Sequence, residues 1–326
     1  MTQFSIPMRT SAEKPDDEAW PRELSRRSKS GELLRIRQGC YVDALGWGQL
    51  EDEERYRGML AAMTLTSRKV PLFGAESAGL LWGLPRPTLP ADVQVIVPAQ
   101  SGRKSSNGVR RLTRDPAAVT TAEVDGVLVT GKVQTAVDLA ILYDFPWAVA
   151  VMDRLLNTKP LPGEIHSKPV TKAEVETRID LLVSGAKRRR ARRVLEFASG
   201  LAMYPGESLS RVHMAQLGFP APVLQHQIID ARGHVATVDF YWEDYQLVGE
   251  FDGRGKYMKP EYLMGRTPAQ VVIDEKNREN RIRATGVGVV RWEWPTAQSP
   301  EALARELTSA GLPQRGKYPA SGPSWA

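Results

Sequence analysis

Residues 237–253, TVDFYWEDYQLVGEFDG, decide the fold of the C-terminal part of the chain. Apolar and polar residues alternate on both sides of a polar turn, and successive side chains of a β-strand point to opposite faces of its sheet. The pattern therefore predicts a β-hairpin with two unlike faces. The apolar face carries Val238, Phe240, Trp242, Leu247, Gly249 and Phe251, and the acidic face carries Asp239, Glu250 and Asp252.

The register of this hairpin brings two carboxylates together. With a two-residue loop at positions 244–245, Trp242 pairs with Leu247. The same register places Asp239 across from Glu250, with Cβ atoms roughly 5 Å apart. Like charges so close repel, at a cost of ~1 kcal/mol in water and ~4 kcal/mol near a protein surface. A divalent cation or a lysine would offset this repulsion, so the stretch predicts a metal-dependent site that cleaves phosphodiester bonds.

The composition bounds the class of protein. With 326 residues, 42% of them hydrophobic, the chain is long enough for two or three globular domains. Its net charge of +6 and pI of about 9.4 suit a polyanionic partner such as DNA. The single Cys40 excludes an internal disulfide and favours a reducing cytoplasm. The sequence has no apolar run of about 18 residues and no zinc-ligand spacing, so we expect neither a membrane partner nor a zinc site.

The N-terminal residues 1–60 are typical of a winged helix-turn-helix DNA-binding module. A short basic helical pattern precedes residues 33–42, LLRIRQGCYV, in which apolar and basic residues alternate around a turn. In this interpretation Arg35 and Arg37 contact phosphates of nucleic acid. The alternative is a solvated strand face, and the sequence leaves both open.

A middle domain is predicted over residues 61–198, with mixed helical and strand patterns and a basic block near its end. Residues 187–193, KRRRARR, are the strongest run of charge in the chain. Its arginines, Arg188, Arg189 and Arg190 among them, suit contacts with phosphates. The block is equally typical of the solvated side of a helix.

The last predicted domain spans residues 199–326. Its patterns give the order helix (205–217), strand (223–230), hairpin, helix (268–285) and strand (287–292). This order predicts a small mixed sheet flanked by helices. The fold class of the whole chain is therefore multidomain α/β.

This order and these acids resemble the PD-(D/E)XK nuclease superfamily, and the domain looks closest to the branch similar to the very-short-patch repair endonuclease. The resemblance implies a restriction-endonuclease-like α/β core that hydrolyses DNA phosphodiester bonds with Mg²⁺ or Mn²⁺. The metal ligands that it implies are Glu207 on the first helix, Asp239 and Glu250. Gln225 matches a polar residue common on the first strand of the family.

The sequence departs from the family at one point. Asp252 stands two residues after Glu250, where the family usually has a lysine. The missing positive charge would come from Lys256 or Lys276, and Asp252 would bind the metal or orient a water molecule. The cations expected to steer the nucleic-acid backbone are Arg254, Arg278 and Arg281. In the alternative interpretation Glu250 and Asp252 pair with these neighbouring cations as an ion network, which contributes little stability at a surface.

The whole chain resembles actinobacterial proteins that join an AbiEi-like antitoxin half, of type IV toxin–antitoxin systems, to a nuclease-like domain. The matching pieces are LLRIRQGCYV (33–42), AESAGLLWGLP (75–85), TGKVQTAVDLA (130–140), YPGESLSR (204–211), GEFDG (249–253) and DEKNRENRIR (274–283). The resemblance implies a transcriptional regulator with a cognate toxin protein as partner. Two functions of different class follow: a DNA-binding, metal-dependent endonuclease, or a non-catalytic regulator whose nuclease-like domain only binds.

Overall fold

The computed structural model describes residues 6–98, 105, 108–115, 118–159, 169–253 and 268–314. The chain divides into two compact units, Met1–Leu139 and Ala140–Ala326, and both combine helices with sheets, so the predicted α/β class is confirmed. The predicted boundary between positions 198 and 199 falls inside the second unit, and the division into three domains stays a prediction. No helix in the described ranges is long and apolar enough to cross a membrane.

The first unit begins with a small antiparallel sheet. Its elements are β1 (Arg9–Thr10), α1 (Trp20–Lys29), β2 (Leu33–Arg37) and β3 (Cys40–Asp43), in the strand order β1-β3-β2. Strands β2 and β3 form the basic hairpin that the sequence predicts, joined through Gly39, whose φ of 77° suits glycine. Trp20 and Leu24 of α1 are buried against this sheet, so the helix and the hairpin share one small core.

The rest of the first unit is a five-stranded mixed sheet with helices packed against it. Its elements are α2 (Ala44–Gln49), α3 (Asp52–Thr66), β4 (Leu72–Phe73), α4 (Ala75–Leu81), β5 (Val93–Val97), β6 (Val109–Thr113), β7 (Thr121–Val124), β8 (Val127–Thr130) and α5 (Lys132–Leu142). The strand order is β6-β5-β4-β8-β7, with parallel pairs at β5–β6 and β4–β8. Leu60 of α3 and Leu80 of α4 are buried with Phe73 and Val129 of the strands, and burial of this kind drives folding.

Three helices open the second unit: α6 (Phe145–Leu156), α7 (Lys172–Asp180) and α8 (Gly185–Phe197). The helical pattern over residues 135–156 predicts a helix that ends or kinks near Pro146, and this prediction is confirmed. Helix α5 ends at Leu142, and the Asp144 side chain then accepts a hydrogen bond from the Trp147 amide to begin α6. Because proline lacks an amide hydrogen, it suits the first turn of a helix and not its interior.

A four-stranded mixed sheet with its flanking helices completes the second unit. Its elements are α9 (Pro205–Leu217), β9 (Val223–Asp230), β10 (Gly233–Trp242), β11 (Leu247–Phe251), α10 (Pro268–Ala284), β12 (Gly288–Trp292), α11 (Trp294–Ala297) and α12 (Pro300–Ser309). The strand order is β12-β11-β10-β9, and β11 and β12 are parallel. The predicted small mixed sheet flanked by helices is therefore confirmed.

Helices cover both faces of this sheet. On one face Phe240 and Trp242 pack with helices α9 and α12. On the other face Tyr241 and Val248 pack with Ile282 of α10. Both faces of the sheet are thus buried. A functional site would therefore lie at the ends or edges of the strands.

The register of the central hairpin is the predicted one, because Trp242 pairs with Leu247. The predicted two-residue loop is wrong. Residues 243–246 form the connection, through a 3-10 turn and a left-handed Gln246 with φ of 43°. A two-residue loop requires positive φ angles, which the Asp-Tyr pair at 244–245 adopts poorly.

The predicted apolar face is wrong at Val238. This side chain packs with Tyr241 under α10, and not with Phe240 on the opposite face. The alternation is interrupted between them, at Asp239. Gln225 lies across from Asp239 in β9 and has a left-handed backbone with φ of 52°, and such an irregularity in a strand pair re-aims the neighbouring side chains.

Candidate functional site

A polar cleft with a volume of about 350 Å³ opens in the second unit. Its lining residues are Lys159, Met203, Tyr204, Glu207, Gln225, Thr237, Asp239, Glu250, Phe251, Asp252, Arg278 and Arg291. Those that the sequence already indicates as site residues are Glu207, Gln225, Asp239, Glu250, Asp252 and Arg278. The start of α9, strands β9, β10 and β11, and helix α10 therefore bring side chains that are distant in sequence to one place.

Glu207 is held at the start of α9. Tyr204, the residue before the helix, supplies no side-chain cap, whereas the Oε2 atom of Glu207 accepts a hydrogen bond from the Met203 amide at 3.0 Å. An acid in the first turn also suits the helix dipole. Glu207 is only 3% exposed. Gly206 beside it lies directly on the Phe251 ring, which a Cβ atom there would overlap, so the helix start is packed on strand β11.

Asp239 accepts hydrogen bonds from two neighbours. Its Oδ2 atom accepts from the Phe251 amide at 3.0 Å, and its Oδ1 atom accepts from Nε2 of Gln225 at 3.3 Å. The backbone pairing of β10 with β11 reaches its last pair at Phe240 and Gly249. The Phe251 amide, just beyond this last pair, thus donates to the Asp239 carboxylate and not to a backbone carbonyl of β10. This hydrogen bond positions the end of β11 at the cleft.

Glu250 is buried and is neutralised by two arginines. Arg278 of α10 donates to both carboxylate oxygens, and its Nη1 atom lies 3.3 Å from Oε2. Arg291 lies beside Glu250 in the parallel β11–β12 pair, with its Nη2 atom 2.9 Å from Oε2. Glu250 is 7% exposed, and a carboxylate that has left water requires such partners because its unpaired burial is costly.

Asp252 and Lys159 complete the charged lining. Asp252 is half-buried, and its amide donates to the Trp292 carbonyl at 2.8 Å. Its carboxylate has no ion pair within the described part of the chain. Lys159 is exposed and lines the same cleft. Acidic and basic side chains therefore line the same cleft.

The metal site that the sequence predicts at these acids stays a prediction. Among the residues that the structure describes, no three Asp, Glu, His or Cys side chains are grouped so that they could hold a metal ion. Glu250, which the family resemblance implies as a ligand, is bound to Arg278 and Arg291 instead. Mg²⁺ requires several oxygen ligands at short distance, so Glu250 would have to leave its arginine partners to become one of these ligands.

Four other predicted site residues lie elsewhere or cannot be placed. Lys276 is exposed on α10 and does not line the cleft. Arg281, further along α10, binds Asp230 of β9 through two contacts of 2.9 Å. Lys256 and Arg254 lie outside the described residues. Among the described residues Glu250 pairs with Arg278 and Arg291, and the catalytic role of Lys276 or Lys256 stays a prediction.

The basic block on α8 is used in part for internal contacts. Arg188 donates to the backbone carbonyl of Leu182, and Arg190 donates to that of Tyr143. Arg189 is exposed. Arg188 and Arg190 thus bind the backbone just after helices α7 and α5, and a contact of this block with nucleic acid stays a prediction.

The two arginines of the first unit that are predicted to contact phosphates both lie on β2. Arg35 is exposed, and Arg37 is half-buried with its Nε atom donating to Oγ1 of Thr66 at 3.0 Å. Neither pairs with a carboxylate among the described residues. They differ in this respect from the arginines of the cleft.

Sequence reasoning misses two cations of the cleft, Arg291 and Lys159. Arg291 is hidden in the apolar strand pattern of residues 287–292. The signal that could have found it is topology, because a strand that follows a crossover helix commonly lies parallel to an earlier strand of the same sheet. Lys159 lies in a stretch rich in proline and lysine, for which the sequence indicates no spatial neighbour.

Comparison with known proteins gives a distant similarity. No family model matches the chain. The chain is similar to two proteins of Mycobacterium tuberculosis, the uncharacterized protein MT2308 of strain CDC 1551 / Oshkosh and the uncharacterized protein Rv2248 of strain ATCC 25618 / H37Rv. Each is 26% identical over 273 residues, which cover 79% of this chain and 92% of the relative. Their names state no activity, so the function rests on the geometry of the site.

Proposed function

We propose that the protein binds nucleic acid, and that the cleft of its second unit is a nuclease-like site that holds a phosphodiester without a resident metal. The observation that carries this proposal is the pairing of Glu250 with Arg278 and Arg291 in a cleft that also contains Asp239 and Glu207. The order helix, three strands, helix and strand supports a PD-(D/E)XK-like core, similar to that of the very-short-patch repair endonuclease.

The two arginines of the cleft share one carboxylate, Glu250, and their guanidinium groups suit a phosphate group. Arginine presents planar N–H donors that match two phosphate oxygens at once. Glu250 orders the guanidinium groups of Arg278 and Arg291 before a ligand arrives, so less side-chain entropy is lost on binding. The net charge of +6 also favours encounter with a polyanion.

Residues 1–60 are, in this proposal, a DNA-binding module of the winged-helix kind. Helix α1 and the basic β2–β3 hairpin support this part. The pieces that match AbiEi-like antitoxins support a role as a transcriptional regulator with a toxin protein as partner. A tagged full-length chain should then co-purify with the product of a neighbouring gene, and recovery of the chain alone would count against a toxin partner.

A second candidate is metal-dependent cleavage of DNA. It is favoured by the position of Glu207, Asp239 and Asp252 in the same cleft, because oxygen ligands of this kind suit Mg²⁺ or Mn²⁺. Cleavage would require Glu250 to exchange its arginine partners for a cation.

DNA binding and plasmid nicking distinguish the two candidates. We expect the wild type to bind a labelled duplex in EDTA and to leave supercoiled plasmid intact in Mg²⁺ or Mn²⁺. Nicking by the wild type that disappears in Glu250→Ala and Asp239→Ala would establish cleavage instead. Asp180→Ala is the matched control, because Asp180 is an exposed acid of the same unit. A wild type that binds no duplex in EDTA would overturn the proposed function.

A further inference from the structure

The turn between helices α7 and α8 exposes two apolar side chains. This hairpin tip, residues 181–184, connects Asp180 at the end of α7 to Gly185 at the start of α8. Leu181 is 66% exposed and Val183 is 98% exposed. A single exposed apolar residue is common on protein surfaces, whereas a cluster of them marks a place where a ligand can bury apolar area.

The hairpin tip is held in place by the helices on both sides of it. Helices α7 and α8 contact each other, and Ile179 of α7 and Val194 of α8 are buried. Arg188 of α8 reaches back to the tip, where its Nη1 atom donates to the Leu182 carbonyl and, at 3.3 Å, to the Val183 carbonyl. A turn that is ordered in this way loses little conformational entropy when it binds a partner.

Cations without acidic partners lie beside the hairpin tip. The nearest Nη atoms of Arg189 and Arg188 lie 3.7 and 3.8 Å from the point at which Gly185 would carry a Cβ atom. The Lys187 amide donates to Oγ of Ser184 at 3.4 Å, which keeps this residue at the tip as well. Lys187 and Arg189 are exposed. In the described part of the chain none of these three cations pairs with a carboxylate.

Exposed apolar side chains beside unpaired cations favour one kind of partner. A second copy of the chain would bring like charges together, and these repel. Leu181 and Val183 together have about half the carbon atoms of a myristoyl chain, which by itself binds a bilayer only marginally. A DNA duplex carries phosphates on its outside and stacked bases within, and proteins insert apolar side chains between its base steps from the minor groove.

We propose that the hairpin tip is a DNA contact in which Leu181 and Val183 insert into the minor groove, while Lys187 and Arg189 bind phosphates of the backbone. The inference rests on the proposed nucleic-acid binding and adds to it a contact outside the cleft. Insertion partly unstacks a base step and bends the duplex by roughly 20–90°. Arg188 is a positioning residue, because its guanidinium group holds the backbone of the tip.

Fluorescence anisotropy of the full-length chain with a short labelled duplex in EDTA tests the two apolar side chains. We expect the double variant Leu181→Ser, Val183→Ser to bind about tenfold more weakly than the wild type, because it removes apolar area that the DNA would bury. The matched control is Val223→Ser, Ile229→Ser, which replaces two exposed residues of β9 with the same number of carbon atoms. Its affinity should stay within about twofold of the wild type. Since all four side chains are exposed, both variants should fold, and circular dichroism checks this.

Energy transfer between dyes at the two ends of the duplex tests the bend. At saturating protein the wild type should raise the transfer, and Leu181→Ser, Val183→Ser should leave it as in free DNA. Arg189→Gln should bend the duplex but lower the slope of log affinity against log salt by about 1. Arg283→Gln, which removes an exposed arginine paired with Glu279, should leave both the slope and the bend unchanged.

The outcomes separate this inference from the proposed function. A wild type that binds no duplex overturns both. A wild type that binds the duplex without bending it, or a tip variant that binds and bends it as the wild type does, overturns the insertion alone. An equal loss of affinity in the two serine variants overturns it too. If the tip variant loses binding to phosphatidylserine vesicles, or dissociates a dimer, with duplex affinity unchanged, the tip contacts a membrane or a second copy and the proposal fails.

Discussion

At the scale of the residue, Glu250 shows how a buried carboxylate of the cleft is stabilised by paired arginines. Removal of a carboxylate from water costs several kcal/mol, and attraction to nearby cations offsets this cost while they remain in place. Arg278 comes from α10 and Arg291 from β12, so one acid links two elements to β11. Loss of either arginine should therefore lower the free energy of unfolding of the second unit.

We expect Arg291→Gln to lower the free energy of unfolding by ~1–3 kcal/mol, because it removes a charged partner from the buried Glu250. The matched control is Arg283→Gln, which removes an exposed arginine paired with Glu279 one turn away on α10. That change should cost less than about 0.5 kcal/mol. Urea denaturation followed by circular dichroism measures both, and equal losses would contradict the role given to Arg291.

The acids of the site could be predicted from the sequence, and so could one partner of Glu250, Arg278, as a member of the alternative ion network, whereas Arg291 could not. Asp239 and Glu250 follow from alternation within a hairpin, which is a local pattern. Arg291 reaches Glu250 through a parallel pairing of strands that are separated by the whole of α10. Nothing in the sequence near Arg291 marks this neighbour.

At the scale of the element, one buried ion pair joins α6 to α9. Asp153 of α6 accepts from Arg211 of α9 at 3.0 and 2.9 Å, and from the Ser208 hydroxyl at 2.8 Å. It also accepts from the Ser199 amide at 2.9 Å. Asp153 is 1% exposed. The start of α9, where Glu207 enters the cleft, is therefore positioned by a helix that contributes no residue to the cleft.

We expect Asp153→Ala to destabilise the protein by ~3–5 kcal/mol, because Arg211 would be left buried without its carboxylate. Asp180→Ala, which breaks the exposed pair with Arg192, should cost at most about 1 kcal/mol. Thermal unfolding of the two variants beside the wild type is the measurement. A similar shift in Tm for both would show that the pair contributes no more than a surface one.

Most elements of the second unit could be predicted because their signals are local. Gly218 ends α9 in a left-handed conformation with φ of 77°, and glycine at that position is a common helix end. The failures are non-local or depend on backbone detail. The face of Val238 depends on Gln225 in the neighbouring strand, and the connection at 243–246 depends on which residues tolerate positive φ.

At the scale of the whole molecule, a net charge of +6 does not by itself locate a binding surface. Acids such as Glu23 and Asp230 neutralise arginines on α1 and α10. Arg35 and Arg37 on β2 differ from these arginines, because neither pairs with a carboxylate in the described part of the chain. The distribution of partners, and not the sum of charges, therefore guides the search for a nucleic-acid contact.

Acid should destabilise the protein through His213. Burial lowers the pKa of this side chain, and a hydrogen bond with the Ala297 backbone only partly opposes the effect. The unfolded chain, with an ordinary histidine pKa of about 6.5, therefore takes up a proton before the folded protein does. Stability is fully present above that pH and is lost as the pH falls towards the folded pKa, at up to ~1.4 kcal/mol per pH unit.

Chemical denaturation at about pH 7.5 and about pH 5.5 measures this loss, which the linkage between proton binding and folding requires. The His213→Gln variant should lose less stability between the two values than the wild type. His234→Gln, which changes an exposed histidine of β10, should behave as the wild type. Identical pH dependence in all three proteins would exclude His213 as the source.

Gly206 rests on the ring of Phe251, and Asp239 holds the Phe251 amide. The helix that carries Glu207 thus packs directly against the strand that carries Glu250. We therefore expect the cleft to be preformed and not to close around a ligand. The DNA, and not the protein, would then have to bend on binding. A duplex with a flexible pyrimidine–purine step should therefore bind more tightly than a stiff adenine tract.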